Sequence, residues 1–383
     1  VATLSLLVWI FLLAGRGHFW RCRERDDRDL PAADPAPWPA VVAVVPARNE
    51  ADMLPLSLPS LLQQDYPGAF SVVLVDDNSD DATCAVARAL ASAAPGRLDI
   101  VQGAALVPGW TGKLWALNQG IDRAGAFAPP PKYLLLTDAD IAYERGALCS
   151  LVRRAEARKL ALVSLMAKLR CLSLAERALV PAFIFFFQML YPFAWVNRPE
   201  RATAAAAGGC MLVLRTALEE AGGIASIRGA LIDDCALGAR LKGQGPVWLG
   251  LTERARSVRP YPRVDDIRRM VARSAYAQLR YSPWLLAGTV AGLALTYLAA
   301  PLIAVLGSGW ARAVAAGAWS LMALSFLPVL RFYRRSPLWA PALPLIAAVY
   351  LVFTLDSAVQ HARGRGGAWK GRVQALGVDD ARS

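Results

Sequence analysis

Between residues 41 and 170, short and almost unbroken apolar runs alternate with longer mixed segments. VVAVVP (41–46), FSVVLVD (70–76), LDIVQG (98–103) and YLLL (133–136) each stop abruptly at polar or acidic residues. Such runs predict strands buried on both faces, as in a parallel sheet. Residues 53–67, 84–96 and 108–124 between them predict helices, the first kinked by its prolines and the second stopped at Pro95-Gly96. This alternation predicts an α/β fold with a parallel, doubly wound sheet. A helix at 145–159 and a strand at 161–170 continue it. Residues 204–223 read as a small-residue loop, a strand and a helix; 227–245 carry Asp233 and Asp234 at a helix start, and 247–261 are strand-like. No internal repeat is evident.

Longer apolar stretches lie outside this pattern. Residues 1–14 are apolar and are followed by Arg16, Arg21, Arg23 and Arg25, the arrangement of a signal anchor with its basic flank in the cytoplasm. The expected organisation is a membrane anchor at 1–20, a linker at 21–40 rich in proline towards its end, and a folded domain at 41–266. A basic amphipathic helix at 267–283, transmembrane segments over 284–360 and a basic tail at 361–383 complete it. The aromatic run 178–196 contains Pro181 and Pro192 and is expected to lie in the bilayer interface. A true crossing there would split the domain across the membrane. Segments 284–307, 313–330 and 338–355 are plausible spans. If all three cross, the basic loop 331–337 and the equally basic tail fall on opposite sides, which the positive-inside rule disfavours.

Composition narrows the function. The chain has 383 residues, is 56% hydrophobic and carries a net charge of +12, with a mean hydropathy of +0.35 and a pI near 9.7. Basic excess with this apolar content fits an anionic membrane surface or a phosphorylated substrate. No nucleic-acid-binding pattern accompanies it, so no nucleic-acid partner is expected. Six scattered cysteines and two histidines, His18 and His361, argue against a zinc site or a Ser-His-Asp triad and for reduced thiols in the cytosol.

The candidate chemistry is acidic. Asp76 and Asp77 follow one predicted strand, Asp138 and Asp140 another, and Asp233 and Asp234 start a later helix. Ligand sites in open α/β sheets form beyond the carboxyl ends of strands. Asp138-Ala139-Asp140 taken singly reads as a solvated loop as readily as a metal site, and each other aspartate as a cap or turn residue. Three acidic loops able to converge on one sheet edge are hard to explain by turn chemistry. Clustered carboxylates repel unless a cation holds them, and a hard dication also binds diphosphate oxygens.

VPARNE (45–50), VDDNSDD (75–81), GWTGKLWALNQG (109–120), TDAD (137–140) and IDD (232–234) occur in this order. Together they resemble the motifs of family-two glycosyltransferases, over Val41 to about Tyr281. The anchor, the segment VRPYPRVDDIRRMVARSAYAQLRYSP and the GRGGAWKGR tail narrow the resemblance to hopene-associated glycosyltransferases of bacterial hopanoid clusters, with some likeness to carotenoid and ceramide glycosyltransferases. The resemblance implies a GT-A fold, a nucleotide-sugar donor (most often a UDP-sugar) and a divalent cation, Mg²⁺ or Mn²⁺. It implies a nucleoside pocket at Pro46, Arg48, Glu50, Asp76 and Asp77, and a diphosphate near Lys113 and Arg280. Asp138 and Asp140 would hold donor and metal. Gly208, Gly209, Cys210 and Asp233 would lie on the acceptor side, and Asp234 would be the general base of an inverting transfer.

One departure matters. The Q/R-x-x-R-W motif of processive relatives is replaced by Ala277-Gln278-Leu279-Arg280-Tyr281, which fits a single transfer better than polymer synthesis. The apolar and basic segments imply a lipid acceptor at the bilayer, with a hopanoid hydroxyl as the family's candidate. The implied location is the bacterial inner membrane, multi-pass, with the catalytic domain cytoplasmic. A polyprenyl-phosphate glycosyltransferase and a catalytically inactive membrane scaffold are the rival readings.

Overall fold

The computed structural model describes residues 1–383 except 29, 32, 365 and 368–383, so most of the basic tail lies outside the described residues. The chain divides into two compact units. One comprises Glu24–Arg170 and Trp195–Pro260; the other comprises Val1–Arg23, Cys171–Ala194 and the chain from Tyr261 onwards.

The first unit is built on one sheet. Its strands are β1 (Val41–Ala47), β2 (Phe70–Asp76), β3 (Leu98–Gln102), β4 (Tyr133–Thr137), β5 (Ile141–Tyr143), β6 (Leu162–Lys168), β7 (Cys210–Leu214) and β8 (Val247–Ser257). They lie in the order β3-β2-β1-β4-β7-β6-β8-β5. The first four are parallel, as their apolar runs predict, and β1 is buried at every position. The expectation of a wholly parallel sheet is corrected at β7, which runs antiparallel to both β4 and β6. The chain leaves the sheet after Lys168 and comes back at Cys210, opposite Thr137. A strand entered from the end at which its neighbour finished must run the opposite way. The short strand β5, absent from the sequence reading, pairs antiparallel with the end of β8.

Helix 112–125 packs across β1 and β2. Gly120 permits this approach, because a Cβ there would overlap Val44 and touch Val75. Residues 24–26, expected within the linker, lie along β8: Asp26 N donates to Leu251 O (3.0 Å) and Leu251 N to Glu24 O (2.8 Å). Arg154, only 1% exposed, stacks over Trp248 and donates to the carbonyls of Asp26 and Arg28.

The second unit is helical and apolar. Helix 174–190 starts with a capping box in which Ser173 Oγ accepts from Glu176 N, while the buried Glu176 carboxylate accepts from Ser173 N, Leu172 N and Tyr261 N. Among the described residues, four helical stretches are long and apolar enough to cross a membrane: Leu174–Val196, Pro283–Leu306, Gly309–Phe332 and Pro337–Ala362. Helix 2–14 has 13 residues and packs along helix 309–332. Pro283–Leu306 contains a π turn at Ala294–Leu298, where Trp9 Nε1 donates to Thr296 O at 2.8 Å. The single helix expected at 267–283 is broken into Val264–Ala272 and Ala275–Gln278, after which Arg280 and Tyr281 both adopt left-handed backbone.

Candidate active site

The carboxyl ends of β1, β2 and β4 present their loops at one sheet edge. Two of these loops are sewn together. Asn49 and Asn78 turn the chain with positive φ, a conformation asparagine tolerates better than most side chains. Arg48 donates to the carbonyls of Asp77 (2.6 Å) and Asn78 (2.7 Å) and pairs with Asp80. Ser79 Oγ accepts from Asn49 N, Asn49 Oδ1 from Asp80 N, and Thr83 Oγ1 from Glu50 N. Asp76 is buried and its Oδ1 accepts from Ser79. Asp77 is fully buried, and its N donates to Ala47 O. Pro46 sits inside β1 beyond the last residue that pairs with β4, where the missing N–H disturbs the ladder least.

The antiparallel entry of β7 sets Gly208 and Gly209 beside the end of β4. Thr137 Oγ1 donates to Gly209 O at 2.8 Å, and Tyr143 OH donates to Thr137 Oγ1 at 2.7 Å. Gly208 N donates to Asp234 Oδ2 at 3.0 Å, and Cys235 N to Asp234 Oδ1 at 2.7 Å. A Cβ on Gly208 would lie 3.3 Å from Lys113 Nζ and 3.4 Å from Asp234 Cβ. Cys210 was expected on the acceptor side. Its thiol is fully buried in the core, and burial pushes its pKa up to about 12. Gly209 also faces inward, towards Ile141 and Ala167.

Lys113 joins the acidic pairs. It lies in the first turn of helix 112–125, whose cap is Thr111. Its Nζ is 2.9 Å from Asp138 Oδ1 and 3.0 Å from Asp233 Oδ2. Burial works against the ammonium, but attraction to Asp138, Asp233 and Asp234 outweighs it and its pKa rises. Asp233 Oδ2 is buried, with Lys113 Nζ as its ion-pair partner. The Asp234 carboxyl is pushed up to about 6 by burial first and the Asp233 charge second, against the pull of Lys113 and the two N–H donors. Burial likewise raises Asp138, partly offset by Lys113.

The sequence reading missed Arg259. Arg259 NH2 donates to both oxygens of the buried Glu50 (2.7 and 2.6 Å), and its Nε lies 3.2 Å from Asp140 Oδ2. Ser257 Oγ donates to the same Asp140 oxygen at 2.7 Å. Arg254, Arg256 and Arg259 follow one another at the end of β8, and no local signal singles out the third. Arg256 pairs with Glu144 and Arg254 lies near Asp26. Arg280 belongs to the helical unit.

The residues fit a divalent cation in a limited way. Among the described residues no group of three or more His, Cys, Asp or Glu side chains is placed to hold an ion. Asp138 and Asp140 each have one oxygen engaged, by Lys113 and by Ser257 with Arg259. Two carboxylates completed by substrate oxygens is a common Mg²⁺ pattern. Lys113 pairs with Asp138 and Asp233, and Arg259 with Glu50 and Asp140.

Residues 39–255, more than half of the chain, match the family described as "Glycosyltransferase like family 2". The chain belongs to this glycosyltransferase family. No curated protein matches it. Among solved structures, the mannosyltransferase PcManGT from Pyrobaculum calidifontis, in complex with GDP-Man and Mn²⁺, is similar at 20% identity and a TM-score of 0.55, covering 94% of this chain and 99% of its own. TarS from S. aureus, in complex with UDP-GlcNAc, has 13% identity and a TM-score of 0.40, with coverage of 88% and 97%. Mannosyl-3-phosphoglycerate synthase from Rubrobacter xylanophilus has 17% identity and a TM-score of 0.38, with coverage of 70% and 80%. The glycosyltransferase has the GT-A fold.

Proposed function

We propose that this glycosyltransferase moves a sugar from a UDP-sugar to a hydroxyl of a membrane lipid, with a hopanoid as the candidate acceptor, in one inverting displacement. The observation that carries the reading is Lys113, which joins the D-A-D loop of the donor side to the Asp233-Asp234 pair. The sewn loops 47–51 and 77–83 receive the nucleoside. Lys113 faces the diphosphate, and Asp138 with Asp140 would hold a divalent cation, which when bound stabilises the leaving diphosphate. Asp234 takes the acceptor's proton as that oxygen attacks the anomeric carbon and the bond to the diphosphate breaks. Asp233 holds Lys113 through its buried Oδ2 on the acceptor side. Arg280 remains a candidate diphosphate partner on the strength of the motif alone.

Connectivity supports a site at one face of a bilayer. The stretch 174–196 leaves from β6 and returns to β7, strands that pair in one sheet, so it cannot cross the membrane once. Three apolar stretches follow Ser282. If each crossed once, residues 281 and 361 would face opposite sides. Yet the Tyr281 ring stacks on His361 at 4.3 Å, and Tyr276 N donates to Ser357 Oγ at 3.0 Å. The third stretch is best read as re-entrant. Its turn Pro337–Ala342 runs back along helix 309–332, where Pro341 O accepts from Trp319 Nε1, and helix 343–362 then returns. Loop 331–337 and residues 361–364 then share a side, as the positive-inside rule prefers, and we assign it to the cytoplasm of the inner membrane. Impermeant thiol labelling of cysteines placed at Arg334 and Arg363 should modify both only after permeabilisation; opposite accessibility would refute this topology.

The function is tested by mass spectrometry of total lipids with and without the gene. A glycosylated lipid that disappears identifies sugar and acceptor together, whereas loss of a polyprenyl-phosphate sugar would favour the rival reading. Wild-type enzyme that binds no UDP or UDP-sugar with Mg²⁺ or Mn²⁺ would leave only the scaffold.

A further inference from the structure

We propose that Arg259 is a built-in counter-ion that occupies the cation position of Asp140 and yields it, remaining on Glu50, when a divalent cation binds. This inference rests on the donor-site reading above. The two contacts of the guanidinium differ in strength. Arg259 NH2 reaches both oxygens of Glu50 at 2.7 and 2.6 Å, whereas the approach to Asp140, through Nε, is 3.2 Å. Glu50 is 7% exposed, and a buried carboxylate without a partner is costly. Its main chain is also fixed: Glu50 N donates to Thr83 Oγ1, and Glu50 O accepts from Met53 N and Leu54 N at the start of a helix. Glu50 is therefore a permanent berth for Arg259, and the link to Asp140 is the one that can be exchanged.

The backbone leaves only the side chain to move. Val258 N donates to Asp140 O at 2.9 Å, and Ile141 pairs with Ser257. Asp140 and the root of Arg259 are thus locked together, with Ser257 Oγ holding the same carboxylate oxygen. The Arg259 side chain is 26% exposed, which gives it room for a small rotation. An arginine on Asp140 keeps the acidic loop ordered before any ion arrives. The same charge opposes an ion that comes without a diphosphate, since a dication beside a guanidinium is repelled at short range.

The proposal requires two substitutions to act in opposite directions on Mn²⁺ binding to the full chain in detergent, without nucleotide, read as free Mn²⁺ by electron paramagnetic resonance. Arg259→Met removes the competitor and should tighten Mn²⁺ binding about tenfold. Glu50→Gln removes the berth, leaves Arg259 to Asp140 alone, and should weaken it by a similar factor. Arg259→Lys, which keeps the charge but not the Nε contact, should fall between wild type and Arg259→Met, and it serves if the methionine variant folds poorly. Equal weakening in all variants would mean that Arg259 only supports the loop, and unchanged binding would mean that it does not compete; either overturns the proposal. A parallel UDP titration separates the two levels. Metal-dependent UDP binding with no divergence between variants defeats only the counter-ion role, whereas no UDP or Mn²⁺ binding to wild type defeats the donor-site reading and this inference with it.

Discussion

The two rims of the site are finished to different degrees. On the donor rim, Arg48, Asn49, Ser79 and Thr83 spend their polar atoms on one another's loops, and Arg259 closes the gap between Glu50 and Asp140. On the proposed acceptor rim, Asp233 and Asp234 both lie beside Lys113, and any side chain at Gly208 would meet Lys113 and Asp234. The loops of the proposed donor rim are tied to one another, whereas the proposed acceptor rim is arranged around one lysine and two adjacent carboxylates.

The sharpest way to break this contrast is to remove the proposed base. Asp234→Asn keeps the shape and acceptors for Gly208 N and Cys235 N but cannot take a proton. Turnover should fall by about 10²–10⁴, the usual contribution of general base catalysis. UDP affinity measured by titration should stay within about twofold, because the donor rim is untouched. Intact turnover would remove the proton-transfer role and favour a phosphate acceptor, which needs no strong base.

Gly208→Ala comes next. Its Cβ would sit 3.3 Å from Lys113 Nζ and 3.5 Å from Asp234 Oδ2, so the lysine must shift away from the carboxylates. About a tenfold drop in kcat with little change in donor KM is expected, the result of misplacing one reacting group. A change confined to donor KM would move Gly208 to the other rim.

How much of this was legible beforehand differs between the rims for a physical reason. β1, β2 and β4 are buried parallel strands, so their apolar runs and the acids that end them are local signals. The Glu50–Arg259 pair joins residues 209 apart, and nothing near Arg259 marks it out from Arg254 and Arg256. The two-cation arrangement also weakens the original argument for a metal, because Lys113 and Arg259 already separate the like charges of Asp138 and Asp140. The direction of β7 depends on where a long excursion re-enters the sheet. The return of helix 343–362 to Tyr276 and Tyr281 is likewise a long-range packing result. The apolar length of that stretch alone does not tell a crossing from a re-entrant segment.

Arg48→Ala tests whether the donor rim is as preformed as its hydrogen bonds imply. The substitution removes donors to the carbonyls of Asp77 and Asn78 and the pairing with Asp80. Charged hydrogen bonds are worth about 1.5–3 kcal/mol each, less where solvent competes. UDP affinity should fall about tenfold and Tm by a few degrees, while kcat at saturating donor falls less than in Gly208→Ala. A loss of kcat alone would contradict a preformed donor rim.

The smallest effect is the most specific to the acceptor rim. Asp234 is active as a base only when ionised, so turnover should fall as pH drops through about 6. Burial is the first cause of that elevated value and the Asp233 charge the second, so Asp233→Asn should move the acid limb of kcat downward. The limb stays above the ordinary carboxylate range, because burial is unchanged. Lys113 pulls the other way, so Lys113→Met should move the limb upward, alongside weaker donor binding. Shifts of opposite sign from two neighbours of one carboxylate identify Asp234 as the titrating group. A limb that ignores both substitutions would assign the titration elsewhere.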